Sequence, residues 1–130
     1  MRVTLAAVGR DKSGPTRDLY QHYVKRLTWP FALREVEERK PLPSASLKLR
    51  EAELLRDVIP KGAVLVALDE RGKNLSSPEI AQMIGHWRDN SVQDLAFVIG
   101  GADGLHKSLR EEATRSISFG RMTWPHMMVR

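Results

Sequence analysis

Leu95 to Ile99 is an unbroken apolar run that opens after Asp94 and empties into Gly100-Gly101-Ala102-Asp103-Gly104. An apolar run of that length, bounded by charge and by glycine, is how a strand buried on both faces of a parallel sheet reads. Three glycines in five residues let the backbone take positive φ and let another molecule approach bare peptide. A helix is predicted to start at Leu105. Strand, glycine turn and helix in succession favour an open α/β sheet, which holds ligands outside the carboxyl ends of its strands. Taken alone, such a turn more often does no more than join a strand to a helix.

The rest of the chain supports that class. Arg2 to Val8 is predicted as a strand ending at Gly9. Ser13-Gly14-Pro15-Thr16 opens a helix in which Leu19, Tyr20, Tyr23, Val24 and Leu27 recur at helical spacing, and Trp29-Pro30 stops it. Phe31 to Glu38 is a second strand. Residues 38–46, with two prolines and two serines, are a loop. Ser46 is expected to cap a helix through Val58 whose buried face carries Leu49, Ala52, Leu55 and Val58. Ala63 to Leu68 is a fully apolar strand, and Asp69 to Leu75 reads as a polar turn beyond it. Ser76-Ser77-Pro78-Glu79 has the cap, proline and acid of a helix start, followed by an inner face of Ile80, Met83, Ile84 and Trp87. Ser116 to Phe119 is the fifth strand. Strands alternating with helices predict a largely parallel five-stranded α/β sheet with helices on both faces, in one domain spanning residues 1–130.

The chain has 130 residues, 42% of them hydrophobic and 28% charged, the balance of a soluble globular protein. No apolar run approaches the ~20 residues of a membrane span, and a cytoplasmic protein without membrane partners is expected. Without cysteine there is no disulfide framework, no Cys-ligated zinc and no thiolate nucleophile; no metal ligands are expected. The net charge of +5 is moderate and spread along the chain. It fits either a nucleic-acid partner or ordinary solubility charge.

The final segment is unusual. Gly120-Arg121-Met122 reads as a turn and Thr123-Trp124-Pro125 as a helix start, yet only five residues follow. A single helical turn is marginal unless something holds it.

At these residues the chain resembles the RlmH family of small SPOUT-class methyltransferases. The matching pieces are the opening Ala7-Val8-Gly9, the stretch LDERGKNLSSPEIA (68–81), FVIGGADGL (97–105) and SFGRMTWPHMMVR (118–130). The GG-x-x-G-L turn, followed about twenty residues on by T-x-P-H-x-x-V-R, is far more specific than either piece alone. The resemblance covers nearly the whole chain. It implies a trefoil knot, an exception to the usual rule against threading, and a homodimer. It also implies S-adenosyl-L-methionine as cofactor and methyl transfer to N3 of a pseudouridine in large-subunit ribosomal RNA within the assembled ribosome. Family members continue past the V-R with a long helix and a tail rich in His, Tyr and Arg. This chain has neither, so a shortened form is expected, with the knot, the dimer and activity all in question.

By resemblance, the cofactor is contacted by Leu68, by Gly100, Gly101 and Gly104, and by Phe119, Gly120, Arg121, Met122, Thr123 and Trp124. Read from the residues alone, Leu68 and Met122 are as well explained by core packing, and Gly101 and Gly104 by turn geometry. A sulfonium methyl donor needs alignment for in-line attack and no metal. The acceptor imide is protonated at neutral pH, so a base is wanted. His126 is a candidate because imidazole titrates near neutrality, and it would equally serve as a helix cap. Arg130 is a candidate for holding a phosphate or charge developing on the uracil, unless the chain end is disordered. Asp69 and Glu70 suit a ribose hydroxyl or are solvated loop charges. Lys73, Lys107, Arg110, Arg115 and Arg121 are candidate RNA contacts, which would position phosphates and leave specificity to shape and unstacked bases. The alternative reading is a non-catalytic RNA- or ribosome-binding module. A dinucleotide or phosphate site is disfavoured, because neither G-x-G-x-x-G nor G-K-[ST] follows a strand here.

Overall fold

The computed structural model describes residues 1–130, with the side chain of His126 outside the description. Five strands alternate with five helices: β1 (Arg2–Val8), α1 (Pro15–Val24), β2 (Phe31–Val36), α2 (Ser44–Val58), β3 (Val64–Asn74), α3 (Ser77–Asp89), β4 (Asp94–Ile99), α4 (Lys107–Glu112), β5 (Arg115–Ser118) and α5 (His126–Val129). The strands form one sheet in the order β2-β1-β4-β3-β5, and every pairing is parallel. The expected α/β architecture is therefore present, with a sheet parallel throughout. Among the described residues, no helix is long and apolar enough to cross a membrane.

Side chains alternate between the two faces of the sheet. One face carries Ala6, Val8, Ala67 and Val98 and is covered by α2 through Ala52 and Leu55 and by α4 through Leu109. The other carries Leu5, Ala7, Val66, Leu95 and Ile99. It is covered by α3 through Ile80, Met83, Ile84 and Trp87, with Tyr20 of α1 and Val129 of α5 beside them. Steps across the sheet in one direction use helices on one face, and steps back use the other. All four crossovers thus share one hand, as parallel sheets require. The predicted helix start holds at α3, where Ser76 is the N-cap: its hydroxyl accepts from the Glu79 backbone N–H at 3.2 Å and donates to the Glu79 carboxylate at 3.1 Å.

Four local expectations are corrected. Asp69 to Leu75 is no simple turn, because β3 runs on to Asn74 and Ile117 of β5 is paired with both Leu68 and Lys73. The intervening residues press Gly72 directly against the Ser116–Ile117 peptide. Ser46 caps nothing, because α2 starts two residues earlier, after Pro43, without a side-chain cap. Leu49 is exposed while Glu51 is buried beside Ala52 and Leu55. The apolar stripe of α1 is split: Tyr20 packs against Phe31, with ring centroids 6.2 Å apart, whereas Leu19, Tyr23 and Leu27 are 58%, 56% and 49% exposed.

Candidate functional site

β3 at the point where its pairing with β4 ends, the carboxyl ends of β4 and β5 and the tail after β5 surround one cleft of about 310 Å³. That volume is at the lower end of small-molecule sites. Each wall follows from local sequence. At β4, Ile99 leads into the glycine loop, which closes on itself as the Gly104 N–H donates to the Gly101 carbonyl at 3.0 Å. Gly100 admits no side chain, because a Cβ there would lie 2.6–2.8 Å from the backbone of Gly104 and Leu105. The loop then enters α4, where His106 caps the helix by accepting from the Ser108 N–H at 3.1 Å. At β5, the Ser118 hydroxyl donates to the Gly120 carbonyl at 2.8 Å and accepts from its N–H at 3.2 Å. The tail folds back over this turn, with the Trp124 indole N–H bonded to the Phe119 carbonyl at 3.2 Å.

Of the ten residues proposed as cofactor contacts, all but Arg121 line this cleft. Arg121 is exposed on the turn outside the lining. The three stretches, ending at Leu68, at Gly100 and near Trp124, therefore share one cavity. Arg130 is not part of it: its side chain is 2% exposed and bonded to Glu35 on the far side of the tail. His126 opens α5, and its side chain lies outside the described residues.

Asp69 is the lining residue that sequence reasoning undervalued. Its side chain is 4% exposed, accepts the Arg71 backbone N–H at 2.8 Å, and sits 3.7 Å from both the Arg71 and Arg110 guanidinium groups. A charged residue just past an apolar strand looks solvated; the return of β3 across β5 is what buries it. Arg110 is thereby turned inward, and its Nε is buried without a hydrogen-bond partner among the described residues. Of the other candidate RNA contacts, Lys107 pairs with Glu111. Arg115 starts β5 at the edge opposite the cleft, whereas Arg121 is exposed between the lining residues Gly120 and Met122 and Lys73 is exposed where β3 pairs with Ile117 of the lining. Among the described residues, no three His, Cys, Asp or Glu side chains form a group suited to a metal ion.

Glu51 stands behind the glycine loop. Its two carboxylate oxygens lie 3.1 and 3.5 Å from where a Gly101 Cβ would be. Burial first, and then the charge of Asp103, push its carboxyl above the usual carboxylate range. A raised carboxyl pKa contributes stability below the unfolded value and loses it as pH rises through the folded value. Glu51→Gln is therefore expected to raise the thermal midpoint at pH 8 while matching the parent near pH 4, in melts followed across that range. A midpoint difference independent of pH would contradict it.

An all-parallel sheet with helices on both faces and a cleft on the side where β4 and β5 end, roofed by a folded-back tail, defines the class: an open α/β domain, in which such a cleft is the usual place for a ligand. The family model described as "Predicted SPOUT methyltransferase" matches residues 1–130. Proteins named ribosomal RNA large subunit methyltransferase H are similar over the full chain: 53% identical in Paramagnetospirillum magneticum and 55% in Rhodospirillum centenum, each over 130 residues. The protein of the same name from Dinoroseobacter shibae is 49% identical over 138. In each case the match takes in 100% of this chain and 86% of the relative. The chain belongs to the SPOUT methyltransferase family.

Proposed function

We propose that this chain is an S-adenosylmethionine-dependent methyltransferase whose substrate is N3 of a pseudouridine in large-subunit ribosomal RNA, met on the ribosome in the cytoplasm. One observation carries the reading: the stretches after Leu68, Ile99 and Ser118 and the tail surround a single cleft in a chain of a methyltransferase family.

The cleft suits the cofactor chemically. Leu68, Phe119, Met122 and Trp124 offer apolar walls for a purine, and the bare peptides at Gly100–Gly104 and Gly120 offer donors and acceptors to its edge. Asp69, held by the Arg71 N–H, is available to a ribose hydroxyl. When bound, the cofactor supplies a methyl group on a positively charged sulfur. The chain's task is alignment for in-line attack. The imide proton of the acceptor goes to a base, and His126, at the start of the wall formed by α5, is assigned that role. Exposed Lys73 and Arg121 beside the cleft are assigned to RNA phosphates. The experiment is transfer of labelled methyl from S-adenosylmethionine to ribosomes lacking the modification, run alongside a chain extended past Arg130 to the length of the relatives. No transfer by either form rejects the reading.

The proposal includes a homodimer. Leu19 and Tyr23 on α1 and Leu27 just past its end are exposed apolar side chains on one stretch, and Met122, Trp124 and Met128 are exposed on the tail. The partner is assigned to this side of the sheet, since apolar side chains left in water favour a packed neighbour. Tyr23→Glu with Leu27→Glu is expected to convert a two-chain particle to a single chain at micromolar concentration, read by solution mass. An unchanged mass would remove the assignment. A threaded connection also belongs to this reading, on the family likeness alone.

A further inference from the structure

Helix α5 has four residues and no side-chain cap, too short to persist unaided. Two features hold it. Val129 packs against the cluster of Leu5, Ala7 and Ile99 while also lining the cleft. Beyond it, the Arg130 guanidinium is enclosed where β1 and β2 end. One terminal nitrogen donates to Glu35 Oε2 at 2.6 Å, and the other donates to the carbonyls of Gly9 at 2.8 Å and Val8 at 3.2 Å.

The same Glu35 oxygen accepts the Asp11 backbone N–H at 2.6 Å. The Asp11 carboxylate in turn accepts from the Thr16 hydroxyl at 2.8 Å, and its carbonyl from Arg17 at 2.8 Å. Three acceptors in a fork suit a guanidinium and not the point charge of an ammonium. The tail is thus fixed at one end by the bonds at Ser118 and Trp124 and at the other by Arg130.

We propose that Arg130, clamped between Glu35 and the carbonyls of Val8 and Gly9, is a positioning residue that sets the tail as the third wall of the cleft and so controls cofactor affinity from outside the cleft. The proposal rests on reading the cleft as the cofactor site. The pair is not needed for the sheet, whose ladders run without it. Removing Glu35 leaves a buried cation with only carbonyls, which is worse than removing both charges. Burial is the largest influence on the Glu35 carboxyl and acts upward. The Asp11 N–H, Arg130 and Arg17 together outweigh it and hold the group below its ordinary value. The clasp therefore stays ionised at neutral pH and opens only in acid, as pH falls through that lowered value.

The test compares the full chain with Arg130→Lys, Arg130→Gln and Glu35→Gln, by calorimetric titration with S-adenosylhomocysteine and by amide hydrogen exchange without ligand. Arg130→Gln and Glu35→Gln are expected to weaken binding at least tenfold. They should speed exchange in 121–130 while leaving β1 and β4 unchanged, with Arg130→Lys falling between them and the parent. Equal affinity and equal tail exchange in parent and Arg130→Gln would overturn the proposal, as would faster exchange spread over the whole sheet. If the parent binds neither S-adenosylmethionine nor S-adenosylhomocysteine, the cofactor reading fails on its own. Tail exchange then decides the clasp, with localised acceleration supporting it and none overturning it.

Discussion

Gly72→Ala is expected to lower the thermal midpoint by about 10 °C. A Cβ at that position would stand 2.6 Å from the Ile117 nitrogen and the Ser116 carbonyl carbon and 2.7 Å from the Ile117 carbonyl carbon. These are backbone atoms of a strand already paired with Val66, Ala67 and Leu68, so they cannot retreat without breaking that ladder. Overpacking of this kind costs ~3 kcal/mol, and at this chain length that corresponds to the quoted shift. Thermal unfolding followed by circular dichroism measures it. Amide resonances of Ile117 and Ser118 should move furthest, because Lys73 and Asn74 pair with those residues. A midpoint within about 2 °C of the parent, a shift worth less than ~1 kcal/mol, would mean that the excursion yields easily and Gly72 is incidental.

The second large effect is on binding. Gly100→Ala is expected to weaken S-adenosylhomocysteine binding by about 100-fold or more, a loss of ~3 kcal/mol, while the far-ultraviolet spectrum stays that of the parent. The added methyl would meet the Gly104 carbonyl carbon at 2.6 Å, the Leu105 nitrogen at 2.7 Å and the Gly104 oxygen at 2.8 Å, so the loop could no longer fold back on itself. Gly101→Ala is the control. Its Cβ would meet a Glu51 oxygen and a Val8 methyl, each at 3.1 Å, so the crowding falls on side-chain atoms and is less severe than the backbone clash at Gly100. The expected loss there is under tenfold, by calorimetry under the same conditions. Equal effects at the two positions would show that the loop's shape matters less than its glycine content.

Much of the architecture could be read from local pattern. The apolar run 95–99, the glycine turn and the Ser76–Glu79 helix start each specify structure within a few residues, and each stands where expected. The misses share one cause, a partner distant in sequence. Asp69-Glu70-Arg71-Gly72-Lys73 has the composition of a turn, and only β5, more than forty residues on, makes its end a strand. Helical spacing grouped Leu19, Tyr20 and Tyr23 on one apolar face, but α1 meets the sheet along a narrow line that reaches Tyr20 alone of the three. Glu51 occupies a core position because bare peptide at Gly101 leaves room for its carboxylate. The cofactor-contact candidates were grouped by family likeness, and the cleft gathers nine of them. A terminal arginine suggests either a reach to substrate or a disordered end, since nothing in it announces an acceptor 95 residues earlier.

The two sides of the sheet are finished to different degrees. Under α2 and α4 the chain seals itself, with Leu55 and Leu109 wholly enclosed. Over α1 and α5 it leaves apolar side chains in water. A second copy laid on them would make resistance to heat depend on how much protein is in the tube, because association draws the folded form by mass action. Diluting the sample would then loosen one side of the molecule first, and the cleft, whose roof hangs from that side, would lose its ligand before the opposite side softened.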